Sequence, residues 1–260
     1  MTAWRFLSPL LLCLGLALAM SLASCPSAPM EDRTDPVLWH LPRGQGRVPL
    51  VLVLEETSLA GWSGRSPWID WFLGQGIAVA QIRHHDQAGR QDWLDGGCSI
   101  RPAMAAPEVL ALAQREQPRI DTAQFAVMGA GRRGTEALAS ATAFAAGDTL
   151  PTAVFAFYPG CAGQCPLAYA ADGPTQVHIF YGGRDDWGLQ RGGYHRCRQH
   201  AGGQISFHEF AEVGHGFDES RRFTETTGRI ILRHQPDTLT TEIARSIVLA
   251  TLTLAWQIDN

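Results

Sequence analysis

Short apolar runs alternate along this chain with longer segments of helical character. Residues 48–54 (VPLVLVL), 77–82 (IAVAQI), 122–128 (TAQFAVM), 152–158 (TAVFAFY), 176–181 (QVHIFY) and 204–210 each read as a strand, the first being apolar on both faces. Between them, residues 67–74 read as a helix ending at glycine, residues 102–114 as an Ala/Leu-rich helix and residues 132–146 as an Ala-rich one. Residues 187–200 are helical in pattern but interrupted by Gly192-Gly193. The last helix starts at Asp237 or Thr238, both good N-cap types, and its spacing predicts a buried stripe at Ile243, Ile247, Ala250 and Leu254. Strands alternating with helices imply an α/β fold with a mostly parallel sheet covered on both faces.

The first residues break this rhythm. Arg5 precedes an unbroken apolar run from residue 10 to residue 20, followed by Leu22-Ala23-Ser24-Cys25. Such a run is too short to span a membrane and reads as an export signal. Leucine, two small residues and cysteine resemble the box of bacterial lipoprotein signals. That resemblance implies cleavage after Ser24, lipid on Cys25, and an exported protein held on a membrane and facing the periplasm or cell exterior. Residues 1–24 are then the signal, 25–35 the lipidated cysteine and a flexible tether, and 36–260 one domain.

Composition changes the picture little. With 260 residues, 45% hydrophobic and 18% charged, the chain can bury one large core. A net charge of −4 argues against nucleic acid as a partner, which calls for a clustered basic surface. Export alters the reading of the cysteines. With Cys13 lost in the signal and Cys25 taken by lipid, Cys98, Cys161, Cys165 and Cys197 remain in an oxidising compartment. Three pairings are open, and Cys161–Cys197 is the expected one. No compact His/Cys cluster suggests a metal, and no cofactor is expected. His84-His85-Asp86, and His195 with His200, read as ordinary residues rather than ligands. Trp62, Trp68, Trp71 and Trp93 read as packing residues more than as a pocket mouth.

The chemistry concentrates in Gly129-Ala130-Gly131-Arg132-Arg133-Gly134, which follows one predicted strand and opens the next helix. It satisfies G-x-G-x-x-G, the dinucleotide-binding fingerprint, and also resembles a nucleophile elbow, G-x-S-x-G, with Gly131 in the serine position. A dinucleotide site wants an acidic residue at the end of the next strand, yet that strand ends Tyr158-Pro159-Gly160. Dinucleotide binding therefore stands as the alternative. The elbow gains from Asp185, just after a strand, and from His215 in a Gly-rich loop thirty positions later (215 − 185). Nucleophile, acid and histidine follow in hydrolase order. In that arrangement the carboxylate holds the imidazole tautomer and stabilises it once protonated.

Phe157-Tyr158-Pro159-Gly160-Cys161, the segment from Gly182 to Trp187, and Val213-Gly214-His215-Gly216-Phe217 are similar to three signatures of the dienelactone hydrolase family. The likeness runs over about residues 48–257. It implies an α/β-hydrolase fold, a small ester- or lactone-like substrate or ligand, Asp185 as the acid and His215 as the histidine. Glu56 resembles the glutamate that lies near the nucleophile in that family.

The departure from the pattern is as informative. Gly131 has no side chain to attack a carbonyl, and neither Ala130 nor Arg132 replaces it. The backbone N–H of Arg132 remains available for an oxyanion hole. Arg133, where glycine is usual, threatens to crowd the turn. Thr135 and Ser140 are expected to point away from the elbow tip, and Cys161 to be consumed in a disulfide. Loss of the nucleophile costs on the order of 10⁶ in turnover, while a histidine–aspartate base contributes ~10²–10⁴. Impaired or altered catalysis, or ligand binding, is the expectation, with a hydrolase or lyase using His215–Asp185 as general base as the alternative.

Overall fold

The structure, a computed structural model, describes residues 37–56, 66–84, 106–143, 149–161, 174–190, 192–227 and 230–257. Seven strands form one sheet: β1 (Val37–His40), β2 (Val48–Glu56), β3 (Ala78–His84), β4 (Ile120–Ala130), β5 (Ala153–Phe157), β6 (Gln176–Gly182) and β7 (Ile205–Phe210). Their order is β1-β3-β2-β4-β5-β6-β7, with β1 antiparallel to β3 and every other pairing parallel. The helices are α1 (Pro67–Gly74), α2 (Ala106–Glu116), α3 (Arg132–Ala143), α4 (Asp186–Gln190), α5 (Gly193–Gln199) and α6 (Thr238–Trp256). A separate antiparallel pair, β8 (Phe223–Thr227) and β9 (Ile230–His234), stands between the His215 loop and α6.

The apolar runs become strands because burial on both faces rewards them. Leu50 to Val53, Phe125 to Met128, Ala153 to Phe157 and Val177 to Tyr181 form the centre of the core, with His178 the polar exception. Chain entries are fixed locally. Ser66 accepts from the Trp68 N–H at 3.3 Å ahead of Pro67, and Asp237 accepts from the Thr240 N–H at 2.8 Å at the start of α6. The interrupted segment 187–200 splits into α4 and α5, with Gly192 at φ 70° between them.

One sequence expectation fails. On α6 the buried residues are Thr240, Ala244, Val248, Thr251, Leu252 and Trp256, whereas Ile243 and Leu254 are 43% and 81% exposed. The helix carries two apolar stripes, and the one containing Val248 and Leu252 meets the sheet. Periodicity identifies a stripe, but neighbours decide which stripe is covered. The strands β1, β8 and β9 were not anticipated. They are four or five residues long, and β8 (FTETT) is mostly polar, which leaves little periodic signal. Residues 1–36, with the signal-like run and Cys25, lie outside the described residues.

Candidate active site

The parallel strands end at one edge of the sheet, where α/β folds gather their functional groups. Gly131 sits there, between β4 and α3, at φ +57°. Its N–H donates to the Phe157 carbonyl at 2.9 Å, and its carbonyl accepts from the Thr135 N–H at 3.2 Å. A Cβ placed on Gly131 meets no atom of the described residues within 4 Å. Gly129 is the opposite case, because a Cβ there would lie 2.2 Å from the Arg133 carbonyl oxygen. The tight strand-to-helix turn thus requires its first glycine and, among the described residues, leaves open space at its centre. At the centre of this turn the backbone is left-handed and the residue is glycine.

Arg133 does not crowd this turn, contrary to the expectation from its size. Its side chain is buried and directed to both carboxylate oxygens of Glu136 at 2.5 Å, while Arg132 Nε lies 3.4 Å from the same carboxylate. Arg132 opens α3, so its N–H belongs to the first turn, whose amides have no partner within the helix. The other hydroxyls are engaged elsewhere. Thr135 Oγ1 accepts from the Gly160 N–H at 2.8 Å, and Ser140 Oγ donates to the Ala137 carbonyl at 2.6 Å. Cys161 is bonded to Cys197, the expected pairing, and both are buried.

Asp185 and His215, thirty residues apart, meet as predicted. Asp185 follows β6 and is fully buried; its Oδ1 accepts from the N–H groups of Trp187 at 3.0 Å and Gly188 at 3.2 Å. That leaves Oδ2 for His215 Nδ1 at 2.9 Å. The bond fixes which imidazole nitrogen faces the acid and aims the other away from it. His215 is 7% exposed. The Tyr158 ring packs on it with centroids 4.2 Å apart, and the His234 ring stands perpendicular to it at 4.9 Å. A groove of about 240 Å³ reaches His215 between Arg184, Asp186, Glu212 and Arg233. Arg184 pairs with Glu212, and Arg233 lies 4.0 Å from Asp186, so the groove's charges are balanced.

Asp218 and His234 at this site escape the sequence reading, and Tyr158 enters it only as part of a signature. Tyr158 follows β5 with φ +37°, a left-handed conformation that costs a bulky residue on the order of 1–3 kcal/mol. Its hydroxyl donates to Asp218 Oδ1 at 2.9 Å, and Trp68 Nε1 donates to Asp218 Oδ2 at 2.7 Å. Burial pushes the Asp218 carboxyl above its ordinary range, against the pull of these two hydrogen bonds. Burial also pushes the Tyr158 hydroxyl well up, with Asp218 adding to it. Trp68 is buried, in keeping with a packing residue, and Trp71 packs edge-on against it. His234 belongs to an unanticipated strand.

Glu56 ends β2, whose register sets Leu54 beside Gly129, so the backbones of Glu56 and Gly131 reach the same end of the sheet. Its side chain lies outside the described residues, as do those of His84, His85, Asp86, Trp62, Trp93, Cys98 and Cys165. His195 and His200 are exposed. Among the described residues no group of three His, Cys, Asp or Glu side chains could hold a metal ion.

Solved structures resemble this arrangement as a whole. A Klebsiella pneumoniae protein assigned as a dienelactone hydrolase superposes with a TM-score of 0.55 at 14% identity, covering 84% of this chain and 98% of that one. MGS-M1, an α/β-hydrolase enzyme from a Medee basin deep-sea metagenome library, gives 0.56 at 15% identity over 87% and 96%. An esterase of Pyrobaculum calidifontis gives 0.54 at 15% over 83% and 79%. The chain has the α/β-hydrolase fold. No family model and no curated protein sequence matches it. At these identities the likeness concerns the fold alone; the site must be argued from its own residues.

Proposed function

We propose that this chain is an exported, lipid-anchored α/β-hydrolase-fold protein, derived from ester or lactone hydrolases, whose site forms no acyl-enzyme and retains His215–Asp185 as a base. One observation carries the reading. Gly131 keeps the elbow's φ of +57° with no side chain, while Asp185 still holds His215 at 2.9 Å. Without a nucleophile, binding and an oxyanion hole sustain only ~10³–10⁴ over the uncatalysed rate. A positioned imidazole acting on water or on an acidic substrate proton adds ~10²–10⁴. A small ester- or lactone-like molecule is the ligand class that the ancestry suggests. The pairing of His215 with Asp185 favours this reading over dinucleotide binding at residues 129–134.

Short aryl esters and lactones offered to the purified mature protein are expected to give slow, linear turnover with no burst, lost in His215→Ala. Equal turnover in His215→Ala would refute a base, and a stoichiometric burst would refute the absence of an acyl-enzyme. Gly131→Ser tests the elbow itself: it is expected to gain labelling by a serine-directed phosphonate. For the anchor, partitioning into a detergent phase should depend on Cys25, and partitioning that survives Cys25→Ser counts against lipidation.

A further inference from the structure

We propose that Asp218 is a positioning residue for His215, pinning the Tyr158 ring against the imidazole and setting a second buried carboxylate beside it. The inference rests on the reading above, in which His215 acts as a base. It adds a residue that neither the family signatures nor the acid–histidine order would select.

Asp218 is 5% exposed, and the hydrogen bonds to its two oxygens come from neutral donors, Tyr158 Oη and Trp68 Nε1. Neither is a cation that would offset the burial of charge. Tyr158, a large aromatic, is held at φ +37°. Strained backbone persists only where its surroundings over-determine it, and such strain concentrates at functional sites. Tyr158 is buried, and its ring also stands edge-on to Phe157 and Phe217. The Tyr158 N–H donates to the Phe180 carbonyl at 2.7 Å, its hydroxyl is taken by Asp218, and its ring lies on His215.

Asp218 stands three residues beyond His215 in the same loop, while its two donors come from α1 and from the end of β5. One carboxylate thereby ties the histidine loop to the sheet and to a helix. Tyr158 also follows Phe157, whose carbonyl receives the Gly131 N–H. The network therefore runs from the empty elbow to the imidazole through two consecutive residues. His215 is bounded by Asp185 along one edge, Tyr158 on a face and His234 at right angles. Such a shell holds an imidazole in one orientation.

The test reads the imidazole directly and needs no turnover. His215 is followed by NMR across pH in the full mature chain with isotope-labelled histidine, its signals assigned by their loss in His215→Gln. The charged and titratable groups facing it are Asp185, Asp218, His234 and Tyr158, with Glu219 acting on Tyr158 and Arg184, Asp186, Glu212 and Arg233 around the groove. In Asp218→Asn the amide can accept from Trp68 and donate to the tyrosine oxygen, so the contacts survive and only the charge goes. Because burial raises the native carboxyl, its charge opposes folding at neutral pH, and this variant should hold or raise Tm. The His215 midpoint should nevertheless fall at least ~0.5 pH unit, about a threefold loss of proton affinity. Tyr158→Phe keeps the ring and removes the tether, and its His215 signals should broaden as the imidazole samples more than one orientation.

An unchanged midpoint and line shape in both variants, whatever happens to Tm, would overturn the proposal. If Asp218→Asn does not fold, the line shape in Tyr158→Phe decides alone. A parallel arm places Asp218→Asn on the Gly131→Ser chain, where phosphonate labelling should slow at least tenfold. Failure of Gly131→Ser itself to label would count against the elbow reading while leaving the NMR result to judge Asp218.

Discussion

Between β4 and α3 the backbone keeps a left-handed turn whose central residue, Gly131, carries nothing, whereas the loop after β7 packs its histidine against three side chains. The two regions are joined through Phe157 and Tyr158, yet they are constrained by different forces. At the elbow the constraint is steric and lies in the main chain: Gly129 fits because Arg133's carbonyl fills the place of a Cβ. At the histidine the constraint is electrostatic and lies in side chains, two buried carboxylates with specific donors. A turn held by its backbone keeps its shape whether or not its central residue carries a side chain. An imidazole held by partners requires each of them. The contrast explains how Gly131 can be empty while the turn around it stays in place.

The largest effect expected of a single change tests the steric half. Gly129→Ala forces a methyl group to 2.2 Å from a backbone oxygen, and should cost about 4 kcal/mol or leave no soluble protein. Denaturant unfolding measures it, and a loss below about 1 kcal/mol would break the claim that the main chain fixes the turn. Next comes the support behind that turn. Cys161 follows β5, and the bond to Cys197 closes a separation of 36 residues, so the Cys161→Ser/Cys197→Ser pair should lose about 3–4 kcal/mol by chain entropy.

A comparably large effect lies on the two strands that lead to Asp185 and His215. His178 on β6 and His208 on β7 stack with ring nitrogens 3.0 Å apart, and burial lowers the His178 pKa from 6.5 to about 4. The unfolded chain then binds more protons than the native one across that window. Stability is therefore complete above pH 6.5 and falls as pH drops toward 4, by up to roughly 3 kcal/mol. A pH series of unfolding curves checks the slope, which should flatten in His178→Gln. The smallest effect sharpens the comparison most. Gly131→Ala adds a methyl group that meets none of the described residues, so its expected cost is that of a left-handed backbone, about 1–2 kcal/mol. A cost equal to that of Gly129→Ala would mean the centre of the elbow is filled after all.

Much of this was legible in the chain. Six strands, the turn and the positions of Asp185 and His215 beside strands and glycines follow from residue patterns, because doubly buried strands and glycine-bound motifs leave dense local signals, whereas the choice of Cys161–Cys197 among three pairings had no such signal. The misses share a cause. Asp218 and Tyr158 are 60 residues apart and Trp68 is 150 from Asp218, so nothing local marks them as partners. On α6 the stripe with Ile243 and Leu254 is as apolar as the covered one, and only the packing partner distinguishes them.

By itself, then, the sequence determined the alternation of strands and helices, the order of Gly131, Asp185 and His215, and the absence of a side chain at position 131, since each is a property of spacing or of one side chain. Tertiary structure alone decided that Arg133 turns to Glu136 rather than crowding the elbow, which face of α6 is buried, and that a strained tyrosine and a buried aspartate hold His215. These depend on contacts between distant segments, whose free energy exists only once the chain has closed around them.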